Sequence, residues 1–224
     1  MRVLIPVAGR GSRLRPYTNT VPKALLEYEG QTILSHILEP LKQLDISEYV
    51  FVIGYLGEQV QSYVEMNYPT LPAAFVEQTK LKGVGHAIYE TRQFLGCSDG
   101  SPLLIVLGDV IIDTDWQNFV ACRQSVVGIQ TVEQKKSYGV AHGVGDRISF
   151  FEEKPTQVDS KLAGCYLIHE VDLLFNCLAK IIESENLIDG EYQLTDALDL
   201  MLYRGAHIFM REVEMVDWEK EYQC

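Results

Sequence analysis

The chain reads as a doubly wound α/β domain: a mostly parallel sheet with helices on both faces. Three observations predict it. Short apolar runs alternate with helical apolar patterns through the first half of the sequence. The first run, Val3-Leu4-Ile5, passes directly into a glycine-rich loop at Ala8-Gly9-Arg10-Gly11. With 224 residues and 47% hydrophobic content, the chain is long and apolar enough for one substantial core.

Residues 3–5 are short and apolar enough to be a buried strand. Residues 25–28 predict a second short strand, turned at Gly30. Thr32 is placed to cap a helix with Ile33, Ile37, Leu38, Leu41 and Leu44 on one face. Residues 49–53 read as a buried strand ended by Gly54, and Val60 and Val64 point inward from the helix that follows. Residues 73–76 give another strand, 85–95 a helix, and 103–107 the most strongly apolar strand of the chain. The second half changes character. Residues 126–132, 139–142, 148–152 and 162–169 are strand-like, and helices are expected over 171–184 and 194–203. With no Gly/Ser linker, low-complexity tract or internal repeat, one domain over residues 1–224 is expected. In such Rossmann-like sheets ligands bind beyond the C-terminal ends of the strands. The loop after Pro6, the segment after Val76 and Gly108-Asp109 all fall at such ends.

Composition narrows the function. A net charge of −12 argues against nucleic-acid binding through a basic face, so any phosphate site must be a local cluster of cations. The five cysteines are scattered without CxxC or His spacing, which disfavours a disulfide framework or a structural metal. The start carries no signal-peptide pattern and no apolar run reaches membrane-spanning length. The expectation is a reduced, cytoplasmic protein with no membrane partner. Its oligomeric state is left open, with a homo-oligomer one of the possibilities.

The stretch 7–26, VAGRGSRLRPYTNTVPKALL, carries the first chemical signal. Ala8, Gly9 and Gly11 leave backbone N–H groups open to an anion. Arg10, Arg13, Arg15 and Lys23 place four cations within fourteen residues, and Pro16 and Pro22 make a continuous helix across them unfavourable. The string is not a P-loop, which needs a later glycine followed by Lys-Ser/Thr. Nor is it the dinucleotide fingerprint, because Leu14 stands where a third Gly or Ala is required. The whole string GRGSRLRP…PKALL resembles the signature of the sugar-1-phosphate nucleotidyltransferases, the sugar-nucleotide pyrophosphorylases. Ser12 replaces the usual Thr and keeps the hydroxyl.

Later motifs continue the resemblance. Gln78 with Gly83-Val84-Gly85-His86-Ala87 is similar to the family's Gln…Gly-Thr-Ala-x-Ala segment, in which the Gln and first Gly read a pyrimidine base. Val84 and Gly85 depart from it, and His86 by itself reads as structural. LLIVLGD at 103–109 is similar to the family's LxxxGD, which implies Asp109 as a Mg²⁺ ligand. Tyr138-Gly139-Val140, Glu153-Lys154-Pro155 and Ala163-Gly164-Cys165-Tyr166 match YGV, EKP and AGxY in order. Gly190–Asp196 resembles GE(Y)xLTD and predicts a capped helix near the pocket. The C-terminal acidic segment places Asp217 on the family's second metal position. GTP is missing before the acidic pair, and Trp218 follows the Asp instead of preceding it.

The resemblance implies the nucleotide-diphospho-sugar transferase fold, with a nucleotide-binding half at 1–125 and a sugar-phosphate-binding half at 126–224. It implies a Mg²⁺-dependent enzyme that joins a nucleoside triphosphate to a sugar 1-phosphate and releases pyrophosphate. UTP or dTTP and glucose 1-phosphate are the expected substrates. Arg13 and Lys23 would be catalytic, while Ala8, Gly9, Gly11, Ser12, Gln78 and Gly83 would bind nucleotide. Gly139, Glu153 and Lys154 would hold the sugar phosphate, and Asp109 and Asp217 the metal. Left open are a mannose- or heptose-phosphate guanylyltransferase, a phosphocholine cytidylyltransferase-like enzyme, and a non-catalytic sugar-nucleotide-binding relative.

Overall fold

The computed structural model describes residues 1–96, 100–131, 139–153, 160–185 and 187–222. Its organising strand is β1 (Arg2–Pro6). The 3-10 turns that follow lead into a small hairpin, β2 (Glu27–Tyr28) and β3 (Gln31–Thr32). Thr32 then caps α1 (Ile33–Leu41), its Oγ1 accepting from Ser35 N at 3.1 Å. The chain continues through β4 (Glu48–Ile53), α2 (Gly57–Asn67), β5 (Ala73–Glu77) and α3 (Val84–Glu90). The helix expected over 85–95 breaks at Thr91 into α3 and the short α4 (Arg92–Leu95), after which β6 (Leu103–Val106) returns to the sheet.

Two short elements follow, β7 (Ile111–Asp113) and α5 (Trp116–Val120), the latter capped by Asp115 accepting from Asn118 N at 3.0 Å. The second half comprises β8 (Ser125–Thr131), β9 (Gly139–Val144), β10 (Arg147–Glu153) and β11 (Ser160–Ile168). Helices α6 (Val171–Glu183) and α7 (Leu194–Tyr203) come next, then β12 (Ile208–Glu212), β13 (Glu214–Val216) and a 3-10 turn at Trp218–Tyr222.

One sheet runs through both halves in the order β5-β4-β1-β6-β11-β8-β12-β10-β9. Strands β5, β4, β1 and β6 are mutually parallel; β11 then runs antiparallel to β6, and antiparallel pairs dominate from there. Alternate residues feed opposite cores, as period-2 geometry requires. Leu4, Val50, Val52 and Ile105 pack toward α3, α6 and α7. Val3, Ile5, Phe51 and Leu104 pack toward α1, α2 and α5. Helices therefore cover both faces, as the alternating apolar runs predicted.

The topology also locates a crevice. From β1 the chain moves outward to β4 and β5, then crosses back to β6 on the other side of β1. That reversal is a topological switch point, where the loops leaving β1 and β6 diverge and a ligand can enter. The two loops touch at their base, where Gly108 N donates to Pro6 O at 3.1 Å. A Cβ on Gly108 would lie 2.7 Å from that carbonyl oxygen and overlap the Val7 side chain. Gly108→Ala should therefore cost about 1–3 kcal/mol through overpacking against backbone. A denaturant midpoint equal to the parent's would show that the loops are not in this contact.

Candidate active site

The loop after β1 is held open by its neighbours rather than by its own side chains. Val7 N donates to Val52 O at 2.8 Å, and Ala8 O accepts from Tyr55 N at 3.1 Å. Gly11 sits at φ 58°, the left-handed region where glycine is least strained. Thr18, 1% exposed, donates its hydroxyl to Gly11 O at 2.8 Å and fastens the turn from below. Above Gly9 there is open space where a Cβ would be. Ala8, Gly9, Gly11, Ser12 and Arg13 all line a cavity of about 550 Å³, with Ser12 and Arg13 exposed. Lys23, Gln78, Gly83, Asp109 and Glu191 line the same cavity, so the sequence-predicted anion loop, base segment and strand-end carboxylate converge.

Lys23 is the electrostatic centre. Its Nζ lies 2.8 Å from Asp109 Oδ2 and 2.6 Å from Glu219 Oε1, with its side chain only 18% exposed. Burial alone would lower its pKa, but the two carboxylates outweigh that and raise it above the ordinary lysine value. The Trp218 ring lies 5.4 Å from the same ammonium, and its indole N–H donates to Asp109 O at 3.0 Å. Trp218 is 2% exposed, so this is a packed contact. The segment carrying it is anchored twice more. Strand β13 pairs antiparallel with β7, and the Tyr222 hydroxyl donates to Glu27 O at 2.6 Å.

Asp217, expected as the second metal ligand, makes a separate contact. Its Oδ2 pairs with Lys220 at 2.9 Å, and neither Asp217 nor Glu219 is among the residues lining the cavity. Once Trp218 is buried against Asp109, the 3-10 turn brings residues three apart onto one edge, so Asp217 meets Lys220. Glu219 is the C-terminal carboxylate that reaches Lys23 beside Asp109. Sequence reasoning missed it because the residue type and spacing follow the family string poorly there. The buried Trp218 next to the acidic run was the usable signal.

Gln78 follows β5 and is 4% exposed, with its backbone N–H donating to Ile53 O at 2.8 Å. Its Nε2 donates to Gly83 O at 3.1 Å and meets His86 Nδ1 at 3.1 Å. Gly83 and Gly85 are required by a close approach. Added Cβ atoms would each stand 2.8 Å from Tyr192 O, which accepts from Gly85 N at 2.9 Å. Tyr192 N in turn donates to Lys82 O at 2.8 Å. The segment 190–196 is thus stitched to the loop before α3 and brings Glu191 to the cavity, but the expected cap is not formed: Gln193, at the N-terminus of α7, makes no side-chain capping hydrogen bond.

In the second half, Gly139 and Glu153 are register partners across β9 and β10. Thr195, at the start of α7, donates its hydroxyl to Glu153 Oε1 at 2.6 Å. A side chain at 139 would meet Leu162 Cδ1 at 2.9 Å and Glu153 Oε1 at 3.1 Å, which accounts for the glycine. Burial, then Glu153 and Asp199, push the Asp196 carboxyl above its ordinary pKa. Burial, then Cys165, Glu153 and Asp109, raise that of the Tyr166 hydroxyl, placing it within the field of both carboxylates. Tyr138 and Lys154 lie outside the described residues.

Comparison with known proteins places this geometry. The "Bifunctional protein GlmU" of Methanococcus vannielii is 29% identical over 211 residues, which is 90% of this chain but 48% of GlmU. The chain spans about half the length of the GlmU relatives it matches. The "UTP--glucose-1-phosphate uridylyltransferase AglF" of Haloferax volcanii is 26% identical over 217 residues, 93% of this chain and 86% of AglF. A solved UDP-glucose pyrophosphorylase complexed with UDP-glucose superposes with TM-score 0.80 at 21% identity, covering 99% of this chain and 95% of that one, so the two share a fold. The model of the nucleotidyl transferase family matches residues 2–216, and this chain belongs to that family.

Proposed function

We propose that the chain transfers a nucleotidyl group from UTP or dTTP to glucose 1-phosphate, giving the nucleoside diphosphate sugar and pyrophosphate. One observation carries the reading. The open loop at Gly9–Gly11, the cations Arg13 and Lys23, and the buried amide of Gln78 line one cavity at the switch point of the sheet. The names of the relatives support the same substrates.

A sugar 1-phosphate is already ionised near neutrality, so its oxygen can attack the α-phosphorus with no protein nucleophile or general base. A new P–O bond forms to that oxygen as the bond to the pyrophosphate oxygen breaks. Catalysis is then positioning plus neutralisation of charge on the phosphates. Arg13 meets the leaving phosphates and Lys23 the α-phosphate. Glu153 and the backbone at Gly139 take the sugar hydroxyls, and Lys154 its phosphate. Thr195 fixes the Glu153 rotamer through its 2.6 Å hydrogen bond.

The carboxylates beside Lys23 suit a divalent cation in charge and ligand type. The Lys23 ammonium already stands between Asp109 and Glu219, so this oxygen pair accommodates a cation, and Mg²⁺ takes one or two carboxylates plus phosphate oxygens. Mg²⁺ bound there would neutralise the triphosphate. Asp109 and Glu219 are the residues that would hold it. With nucleotide present, Lys23 exchanges its carboxylate partners for the α-phosphate. Among the described residues no helix is long and apolar enough to cross a membrane.

The first test is pyrophosphate release across a matrix of nucleotides and sugar 1-phosphates. UTP or dTTP with glucose 1-phosphate should give the highest kcat/KM, and a clear preference for GTP would turn the reading to a guanylyltransferase. Lys23→Ala should lower kcat by roughly 10²–10³, while Lys154→Ala should act chiefly on the KM of the sugar phosphate. Near-normal turnover in both variants would remove the phosphate clamp. Asp109→Asn and Glu219→Gln should each raise the Mg²⁺ concentration for half-maximal rate, and Asp217→Asn should leave it close to the parent's. If Asp217→Asn behaves like Asp109→Asn while Glu219→Gln is silent, the carboxylate assignment reverses.

A further inference from the structure

The carbonyl oxygen of Gly83 can only accept a hydrogen bond. The Gln78 atom 3.1 Å from it is therefore the amide nitrogen, Nε2. The same nitrogen lies 3.1 Å from His86 Nδ1. An amide nitrogen only donates, so Nδ1 must accept, and the ring proton belongs on Nε2. That Nε2 faces Glu90 Oε1 at 3.2 Å, an acceptor suited to take the proton's hydrogen bond. A single chain of donors and acceptors thus runs from a backbone carbonyl through the amide and imidazole to a carboxylate. It uses both N–H groups of Gln78 and leaves Oε1 as the acceptor the amide can offer the cavity.

We propose that His86 is a positioning residue. As the neutral Nε2–H tautomer it locks the Gln78 amide with Oε1 available to the nucleobase. The site then selects uracil or thymine, whose N3 carries a proton, over cytosine, whose N3 is a lone pair. This inference rests on the reading of Gln78 as the base-recognition residue and adds a second acceptor, beside Gly83 O, that holds its orientation. It does not separate UTP from dTTP, which share the N3–H.

The surroundings favour the neutral ring. Glu90 faces it from its own helix, Lys80 and Lys82 from the preceding loop, and the Tyr192 ring stacks at 6.3 Å from the segment before α7. Burial, with Lys82 and Lys80, holds the imidazole below its ordinary value of 6.5 against the opposing pull of Glu90. The sign follows. Above that lowered value Nδ1 accepts, and Oε1 is presented to the base. As pH falls through it Nδ1 becomes a donor opposed to the Gln78 N–H, and the amide is no longer held in one orientation: turned, it would accept from Nδ1–H but set Oε1 against Gly83 O. Preference for uracil is therefore full at neutral and alkaline pH and weakened on acidification.

The test compares kcat/KM for UTP and CTP with one sugar 1-phosphate on the full chain, from about pH 8 to about pH 5. Taking the ratio cancels protonation of the triphosphate, which both nucleotides share. The parent ratio should be high at neutral pH and fall in acid. His86→Leu, which has no acceptor, should lower the neutral ratio by roughly tenfold. His86→Asn offers Oδ1 near the position of Nδ1 and cannot protonate, so it should keep the ratio and flatten its pH profile. A parent-like ratio in His86→Leu, or a parent-like pH profile in His86→Asn, would overturn the proposal. Should His86→Leu fail to fold, the Asn profile decides alone. The underlying reading fails separately: a parent that does not distinguish UTP from CTP, or a Gln78→Ala that leaves the ratio intact, sinks Gln78 itself. If Gln78→Ala narrows the ratio and neither His86 variant alters it, only the His86 inference falls.

Discussion

An ammonium shared by two carboxylates ties the ends of this molecule together. Lys23 leaves the loop after the first strand, Asp109 the loop after β6, and Glu219 the C-terminal turn. None of the three would be well placed alone: a lysine so enclosed loses hydration, and burial lowers the stability of its charged form. The two acids restore that charge, while Trp218 seals the contact with a hydrogen bond to Asp109 O. The cavity's cationic wall and its acidic wall are thus defined by each other. In an acidic chain of net charge −12, such local pairing keeps a half-buried lysine charged and fixed in place.

Much of the fold could be read from pattern because the patterned elements are long and one-sided. Helix α1 shows a capping Thr32 and apolar residues at helical spacing, and all of Ile33, Ile37, Leu38 and Leu41 are buried. The interior strands β1, β4 and β6 are continuous apolar runs, as strands covered on both faces must be. Besides β3, the two-residue return strand of the small hairpin, three strands escaped notice: β7, β12 and β13. Each has three to five residues, and β12 and β13 are largely half-buried or exposed, so neither periodicity nor hydrophobicity accumulates. Their pairing is set by distant partners, which no local window contains.

The site divides in the same way. Ala8, Gly9, Gly11, Arg13, Lys23, Gln78, Gly83 and Asp109 were legible because each belongs to a string whose order survives intact, and all of them line the cavity. Glu219 was not, because which acid of a short turn faces inward depends on side-chain direction around Trp218. Thr195 was missed as a partner of Glu153 because it comes from a helix end that only the folded sheet brings beside β10. His86 illustrates a subtler limit. Read alone it is a structural histidine, and its consequence emerges only from knowing which of its nitrogens must accept.

Strand β12 lies between β8 and β10, parallel to the first and antiparallel to the second. Both neighbours precede it in the chain, separated from it by two helices and β11. During folding, β8 and the β9–β10 hairpin cannot become part of one sheet until that later segment threads into the gap. Closing so long a loop carries an entropic cost before its contacts form, which places this step late and slow among the pairings. Until then β10 is joined to the rest through α7, whose Thr195 donates to Glu153 Oε1 and whose Asp199 accepts from Phe151 N. A protease cutting between α7 and β12 would reach the folding chain before this gap is filled, and would leave β8 and β10 without the strand that joins them.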